Sequence, residues 1–253
     1  MKRICVFFLL IHFGFAFCNA PKKAFAGMLK LVIFNEQNVE FCDVIKKNSG
    51  EKDDLWNHSF KYKIETRDKI NFLNLDGYKK SFLLLKSDEI LILFDNNDII
   101  FIGVNEPLNE EFIDFVPKGE TRASSELREG KKIYRSTNLC NLNLCEPWAE
   151  GEIGSGIGAK ISTYVNCNGL ILFSGYVSYS NPKLFSQNSR PKKVKIILTE
   201  NKKEYIYELN DTPNPQCLEF DEVYNGDIEL IILDVYRGIL YDDTCINSIM
   251  QYM

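Results

Sequence analysis

Short segments rich in β-branched and aromatic residues recur from residue 159 to the end of the chain, and turn-forming residues separate them. The segments are AKISTYV, LILFSGYVSYS, KKVKIILTE, KEYIYELND, QCLEFDEV, DIELIILDVYR and TCINSIMQY, with turn signals such as CNG, ENK, DTPNP and NGD. Residues alternate as in a strand, because Tyr205, Tyr207 and Leu209 share one face while Ile206 and Glu208 share the other. This spacing predicts an all-β fold, either a β-sandwich or a jelly roll.

The N-terminal part of the chain carries a similar signal. Residues 61–104 contain four β-rich runs separated by Asp-Gly, Ser-Asp and Asp-Asn-Asn-Asp turns, which predicts a β-meander. Residues 27–60 allow two interpretations, because NEQNVEFCDVIKKNSG is either a helix that ends at Gly50 or a pair of strands.

The segment LNEEFIDFVP lies between these two parts. Asn109 is a suitable N-cap, apolar residues recur on one helical face, and Pro117 is a stop signal, so the segment predicts a short connecting helix. We place the domain boundary here. A smaller β-rich region of unknown function then covers residues 21–116, and the C-terminal domain covers residues 117–253.

The first residues have the layout of a secretory signal. Lys2 and Arg3 precede an apolar run over Ile4–Phe17, and small and polar residues follow it. We therefore expect residues 1–20 to form a signal peptide and the protein to be exported to the periplasm, the outer surface or the medium. Two alternatives stay open, namely a later cleavage site and lipidation at Cys18.

Export changes the interpretation of the cysteines. Six lie beyond the signal: Cys42, Cys140, Cys145, Cys167, Cys217 and Cys245. An even number in an exported chain predicts disulfides, chiefly among the five that follow residue 139, although their connectivity stays open. Free buried thiols are the alternative.

Composition excludes several classes of function. The net charge of -5 offers no basic surface for a phosphate backbone, and no internal apolar run reaches the roughly 18 residues of a membrane span. One histidine, His58, lies beyond the signal, so neither a histidine-based zinc site nor a well-supported catalytic triad is expected. Carboxylates of Glu146, Glu150 and Glu152 leave glycoside hydrolysis chemically open, but acidic residues in a glycine-rich loop are usually solvated.

Those glutamates belong to the loop CNLNLCEPWAEGEIGSGIGAK, residues 140–160. Its Gly154 to Ala159 segment matches the loose dinucleotide-binding pattern G-x-G-x-x-A. That pattern needs a preceding strand and a following helix, whereas β-branched residues follow here. The loop therefore predicts an architectural role, in which Trp148 fills one end of the sandwich and the glycines allow sharp turns.

An ordered series of motifs carries a family resemblance. The motifs are ASSEL, NLCNLNLCEPWAEGEIGSGIGAKI, NGLILFSGYVSY, LFSQNSRPKKVKI, ELNDT, ELIILDVYRG and YDDTCINSI. The C-terminal half resembles the glycan-binding, translocation-type domain found beside bacterial NAD glycohydrolases. This resemblance implies a discoidin-like (galactose-binding-like) jelly-roll β-sandwich related to the coagulation factor type C fold. It also implies binding rather than catalysis, because the catalytic domain of those enzymes is a separate unit.

The resemblance further raises a structural calcium site before Trp148. Asn141, Asn143 and Glu146 stand at the oxygen-bearing positions of the family's pattern. The family's aspartate is Asn141 here, and Ser248 replaces an expected acidic residue. A loop held by cysteines instead of a metal is an equal alternative.

Candidate sugar contacts lie in the loops between strands. Sugars stack on aromatic rings and bond to forked amide or guanidinium donors. The candidates are Tyr176, Tyr179, Phe185, Gln187, Asn188 and Arg190. The sequence thus predicts an exported, non-catalytic protein of a bacterial envelope that binds a surface glycan. An envelope protein-interaction module is the alternative, and a hydrolase is a third class.

Overall fold

The computed structural model describes residues 23–27, 30–43, 55–105 and 113–253. The predicted signal peptide, residues 1–20, lies outside these ranges, and its prediction stays open. Within them, no helix has both the length and the apolar character needed to cross a membrane.

Eight antiparallel strands form the first sheet, which closes into a barrel. They are β1 (Lys23–Gly27), β2 (Lys30–Phe34), β3 (Asn38–Asp43), β4 (His58–Arg67), β5 (Ile70–Leu75), β6 (Ser81–Lys86), β7 (Ile90–Asp95) and β8 (Asp98–Val104). The barrel closes where Ala26 pairs with Val104. Gly27 is needed beside this pair, because a Cβ atom there would lie 1.8 Å from the Ile102 carbonyl oxygen. The predicted β-meander is confirmed, and the ambiguous segment before it forms strands wherever it is described.

Ten further strands follow, and eight of them join a second sheet. They are β9 (Ile113–Phe115), β10 (Arg122–Ala123), β11 (Arg128–Glu129), β12 (Lys132–Ile133), β13 (Trp148–Ala149), β14 (Lys160–Ser174), β15 (Arg190–Leu198), β16 (Glu204–Glu208), β17 (Gln216–Tyr236) and β18 (Cys245–Tyr252). The central order is β13-β18-β14-β17-β15-β16, whereas β11 and β12 form a separate hairpin. Helix α1 covers Leu184–Gln187, and a 3-10 helix covers Ser136–Cys140. The all-β prediction is confirmed.

Two predicted turns are wrong. The segments CNG, residues 167–169, and NGD, residues 225–227, lie inside β14 and β17, which continue through them. The two segments lie close together across the strand pair, since Cys167 pairs with Tyr224, and the register shifts before Gly169. The irregularity is therefore a β-bulge rather than a turn.

The predicted connecting helix is also wrong in its described part. Ile113–Phe115 forms strand β9, which pairs with the end of β18 through Met250, Gln251 and Tyr252. Asn109, the predicted N-cap, lies outside the described residues. The second sheet thus begins before residue 116, and the exact division of the chain into domains stays a prediction.

Trp148 lies in the core of the second sheet. The side chain is fully buried, and its indole Nε1 donates a hydrogen bond of 3.0 Å to the Ser125 carbonyl. Around it pack alternate residues of the long strands, including Ile161 and Val165 of β14 and Ile228 of β17. The prediction that Trp148 is a core residue is confirmed.

The barrel and the second sheet are joined by one apolar cluster, which we call the shared core. In β14, Leu170 and Leu172 pack into the second sheet's own core, whereas Ile171 and Phe173 pack into the shared core. On the barrel side, the shared core includes Ile90, Ile92 and Phe94 of β7. Since each strand buries both faces, the two sheets form consecutive layers of one packed body.

The predicted disulfides are wrong. All six cysteines beyond the predicted signal are described, and all six are free thiols. Their side chains lie in different places: Cys140 and Cys167 with the second sheet's core, Cys217 with the shared core, and Cys245 beneath two tyrosines. Burial raises the pKa of Cys167 to about 11 and that of Cys217 to about 12, so both thiols are protonated and poorly nucleophilic at neutral pH.

We therefore expect the mature chain to carry all six thiols without reduction. The test is alkylation in denaturant without a reductant, followed by an intact-mass measurement that counts the adducts. At pH 8 the same reagent should modify Cys167 and Cys217 far more slowly in the native protein than in the denatured protein. A denatured chain with two, four or six fewer adducts than six would contradict the structure, because each disulfide protects two sulfurs from the reagent.

Candidate functional site

A small cavity of about 100 Å³ lies where several loops of the second sheet meet. We call it the tyrosine cavity, and the residues that give it its chemistry are Glu129, Tyr134, Tyr176, Asn188, Tyr241 and Asp243. They come from the β11–β12 hairpin, the loop after β14, the end of α1 and the loop between β17 and β18. The cavity therefore depends on loops held by a rigid sheet, as binding sites commonly do.

Two of the tyrosines are fixed by hydrogen bonds. The Tyr134 hydroxyl donates to Glu129 Oε2 at 2.9 Å, and the Tyr176 hydroxyl donates to the Cys145 carbonyl at 3.0 Å. Their ring centroids lie 6.2 Å apart in an edge-to-face arrangement, and Lys132 Nζ lies 4.4 Å from the Tyr134 centroid. These contacts hold both rings before any ligand arrives.

Gly175 sets the position of Tyr176 at the end of β14. Its φ of +83° is in the left-handed region, and a Cβ atom there would lie 2.6 Å from the Phe185 ring. The Gly175 amide also donates to the Cys245 carbonyl at 3.0 Å. Glycine thus lets the chain turn sharply from the buried strand into the cavity wall.

Two carboxyl groups give the cavity an acidic side. Burial raises the pKa of the Asp243 carboxyl, and the neighbouring Glu129 and Asp242 raise it further. Tyr241, whose side chain is 46% exposed, leaves an aromatic face open to solvent near these groups. The arrangement offers hydrogen-bond acceptors beside aromatic surface, which suits a ligand with both hydroxyl groups and apolar C–H faces.

The sequence profile of the family described as "NAD glycohydrolase translocation F5/8 type C domain" matches residues 116–252. The chain belongs to this family. The matched range covers the second sheet apart from strand β9 and includes every residue of the tyrosine cavity. The F5/8 type C domain is therefore the unit that carries the candidate site, and the expected resemblance is confirmed.

Two solved structures resemble the chain distantly. A family 32 carbohydrate-binding module from C. perfringens NanJ, determined in complex with galactose, has 16% identity and a TM-score of 0.39, and the alignment covers 56% of this chain and 99% of the module. A chain described as a glycoside hydrolase has 8% identity and a TM-score of 0.32, with 87% of this chain and 67% of that chain covered. No curated protein matches the sequence.

Of the predicted sugar contacts, Tyr176 and Asn188 line the cavity of the type C domain. The Asn188 side-chain amide donates to the Leu184 carbonyl at 2.9 Å, so part of its bonding capacity is already used. Gln187 lies next to the cavity, where its backbone carbonyl accepts bonds from the amides of Leu240 and Tyr241 and so holds the Tyr241 loop.

Tyr179 and Phe185 belong to the shared core instead. The Tyr179 hydroxyl donates to the Ser81 carbonyl of the barrel at 2.8 Å, and its ring packs edge-to-face on Phe72. Phe185 is fully buried. The prediction that both side chains face a sugar is therefore corrected, because the barrel covers this side of the type C domain.

Arg190 is also an internal residue. It is 5% exposed, and its guanidinium donates to both carboxylate oxygens of Asp211, at 2.7 and 2.8 Å. Arg190 Nη1 donates to the carbonyls of Phe185 and Asn188 as well. All three guanidinium nitrogens are thus occupied, which corrects the prediction that Arg190 binds a sugar.

Four cavity residues were missed by the sequence analysis: Glu129, Tyr134, Tyr241 and Asp243. Tyr241 and Asp243 lie in the motif YDDTCINSI, so this motif could have indicated both of them as site residues. Glu129 and Tyr134 are on and beside a hairpin of two short strands, which has no strong periodic pattern.

The predicted calcium ligands lie in local turns, and the calcium site stays a prediction. Asn141 Oδ1 accepts a bond from the Asn143 amide, and Asn143 Oδ1 accepts one from the Cys145 amide, so both oxygens cap local turns. Glu146 is exposed. Among the described residues, no group of three His, Cys, Asp or Glu side chains could hold a metal.

The glycine-rich loop contains a buried carboxylate. Glu150 is fully buried, although glutamates of this loop were expected to be solvated. Its backbone amide donates to the Thr244 carbonyl, and its Oε2 accepts a bond from the Glu152 amide at 2.9 Å. Its Oε1 is buried without a hydrogen-bond partner. Burial raises the pKa of the Glu150 carboxyl, as does the nearby Asp243.

Arg190→Ala should destabilise the protein by about 3 kcal/mol, because the half-buried Asp211 carboxylate loses the guanidinium that pairs with it. We place the value at the low end of the usual range, since Asp211 keeps its ion pair with Lys69. Lys192→Ala is the matched control, because its ion pair with Asp234 is exposed to solvent and should contribute little to stability. Equal unfolding midpoints in urea for the two variants would contradict the buried role of Arg190.

Glu150→Gln should change the pH dependence of stability. A carboxyl group whose pKa is raised by folding favours the folded state when protonated, so the contribution of Glu150 to the unfolding free energy should rise as pH falls through its raised pKa towards the ordinary value of 4.5. Each unit of pKa shift corresponds to about 1.4 kcal/mol. The Gln variant should lack this contribution, whereas Glu152→Gln, at an exposed neighbour, should follow wild type. Parallel curves for wild type and Glu150→Gln would show that Glu150 contributes nothing.

Proposed function

We propose that this protein binds a surface glycan or glycoconjugate and that one sugar unit occupies the tyrosine cavity. The observation that supports the proposal best is the convergence of three tyrosine rings, two carboxylates and one amide on a single small cavity. Carboxylates accept hydrogen bonds from sugar hydroxyls, and tyrosine rings pack on the apolar faces of sugar rings. The volume of about 100 Å³ suits insertion of part of one sugar unit while the rest stays in solvent.

Such a site binds weakly. One stacking contact contributes about 0.5–1.5 kcal/mol and each hydrogen bond about 1 kcal/mol, so the dissociation constant should be nearer millimolar than nanomolar. Many copies on one surface would raise the effective affinity. Export to a bacterial envelope, which the signal-like pattern over residues 2–17 supports, would provide such a surface.

The proposal includes a non-catalytic role. Glu129 and Asp243 line the same cavity, as the two carboxyl groups of a glycosidase would. We assign them to binding because the Tyr134 hydroxyl already bonds to Glu129 and because the cavity is small for a substrate that must also admit water. Nucleic acid is not an expected partner, since the net charge is -5.

One observation favours the alternative of a macromolecular contact. Four aliphatic side chains on two loops are largely exposed: Ile153, Ile157, Ile239 and Leu240. The two loops are connected, because the Thr244 hydroxyl at the base of one donates to the Ser155 carbonyl of the other at 2.7 Å. Exposed apolar clusters commonly mark interaction surfaces, so a protein partner is the second candidate.

Tyr241→Ala tests the proposed sugar site. The side chain is 46% exposed, so its loss should leave the fold intact, and the affinity for a bound monosaccharide should fall about two- to tenfold. A glycan array identifies the sugar, and isothermal titration calorimetry measures the change. Ile206→Ala is the control, because this side chain is 57% exposed and lies on β16, outside the tyrosine cavity.

Equal monosaccharide affinities for wild type and Tyr241→Ala would place the sugar outside the tyrosine cavity. Binding of a purified protein partner that is lost in Ile239→Ala, together with no array signal, would favour the alternative.

A further inference from the structure

We propose a second carbohydrate site, independent of the tyrosine cavity, in a groove across the outer face of the second sheet. This sheet-face groove has a volume of about 850 Å³. The ligand class that fits it is an extended neutral oligosaccharide of several units. The proposal goes beyond the single sugar unit proposed above, because it adds a surface whose affinity should depend on the number of units in an oligosaccharide.

The floor of the groove is one continuous row of side chains across five strands. Arg122 of β10 pairs with Ser162 of β14, which pairs with Glu229 of β17. Glu229 pairs with Ile197 of β15, which pairs with Glu204 of β16. Neighbouring strands lie about 4.8 Å apart, so the row is roughly 19 Å long, which suits a linear ligand that crosses the strands.

Two turns form the walls of the groove and are anchored to the sheet. At one end, the Thr121 hydroxyl is within 2.8 Å of the buried Thr163 hydroxyl and accordingly fixes the turn that carries Glu120. At the other end, the Thr199 hydroxyl donates to the Asp227 carbonyl at 2.8 Å and fixes the turn that carries Lys202. A groove with fixed walls needs little reorganisation when a ligand binds.

The lining provides both donors and acceptors for sugar hydroxyls. Tyr164 presents a 37% exposed ring on the floor, and its hydroxyl bonds to Asn225. Arg122 and Lys202 have no ion-pair partner in the part of the chain that the structure describes, so their donors are available. An exposed ring beside unpaired donors is the combination that a sugar chain requires.

The charges in and beside the groove balance, so the groove gives an anionic ligand no net attraction. Four carboxylates line it, from Glu120, Glu204, Asp227 and Glu229, against the two cations Arg122 and Lys202. Lys160 and Lys195 pair with Glu229 and Glu204 respectively, and each pair keeps its carboxylate in place. The remaining carboxylates of Glu120 and Asp227 are matched by Arg122 and Lys202, so the groove favours hydrogen bonds to neutral sugar hydroxyls over a net electrostatic attraction.

The test uses linear gluco-, manno- and galacto-oligosaccharides of one to six units on an array, followed by calorimetry with the full mature chain. Tyr164→Ala and Arg122→Ala should each weaken binding of a hexasaccharide about two- to tenfold. Both variants should leave monosaccharide binding unchanged. Ile206→Ala, at an exposed position of β16 outside the groove, is the matched control and should behave as wild type.

The Tyr241→Ala variant separates the two proposed sites. It should lose monosaccharide affinity but still bind the hexasaccharide through the groove. Affinity that does not rise with chain length, or hexasaccharide binding that Tyr164→Ala and Arg122→Ala leave unchanged in folded protein, would overturn the groove proposal. Monosaccharide binding that Tyr241→Ala leaves unchanged would overturn the cavity proposal alone.

Discussion

The packing of the barrel against the type C domain is the interaction on which the rest of this structure depends. In β7, Leu91 and Leu93 fill the barrel interior, while Ile90, Ile92 and Phe94 pack outward into the shared core. Strand β14 of the type C domain has the same arrangement, because Leu170 and Leu172 pack into the second sheet's own core while Ile171 and Phe173 pack into the shared core. Burying one such side chain stabilises a fold by about 1.5–3 kcal/mol, so neither sheet could lose the other without exposing a large apolar face.

This packing determines which loops can bind a ligand. Tyr179 and Phe185 serve the shared core, and two further contacts cross the same boundary, from Ser186 to Asp68 and from Asp211 to Lys69. Arg190 supports the boundary through Asp211. Among the described residues, the loops around the tyrosine cavity lie outside this contact, and so does the sheet surface that carries the groove. The N-terminal barrel is thus a structural partner that limits the accessible surface of the family domain.

The sequence predicts the strands well because alternation and turn residues act locally. It also predicts the core position of Trp148 and places Tyr176 and Asn188 near the candidate site. It fails where distant parts of the chain decide the outcome: the Tyr179 ring and the Arg190 guanidinium have the chemistry of sugar contacts, yet the barrel and Asp211 occupy them. The runs LILF in β14 and ILILF in β7 were the available signal, because a strand without alternation is buried on both faces.

The free cysteines show a similar limit. An even number of cysteines in a chain with a signal-like start suits disulfides, but pairing needs sulfurs that meet in space. Cys167 and Cys217 instead point into separate cores. Glu150 is a further case, since its burial depends on contacts of the glycine-rich loop with Thr244 and on the absence of a side chain at Gly156.

The central claim is that the barrel and the type C domain unfold as one cooperative unit, and the two tryptophans test it most directly. Trp56 lies in the barrel interior and Trp148 in the core of the second sheet. Trp148→Phe and Trp56→Phe each leave one reporter, and in each variant urea unfolding is followed by tryptophan fluorescence and by far-ultraviolet circular dichroism. The shared core predicts coincident transitions for both probes in both variants. A fluorescence midpoint that departs from the circular dichroism midpoint in either variant would contradict the account.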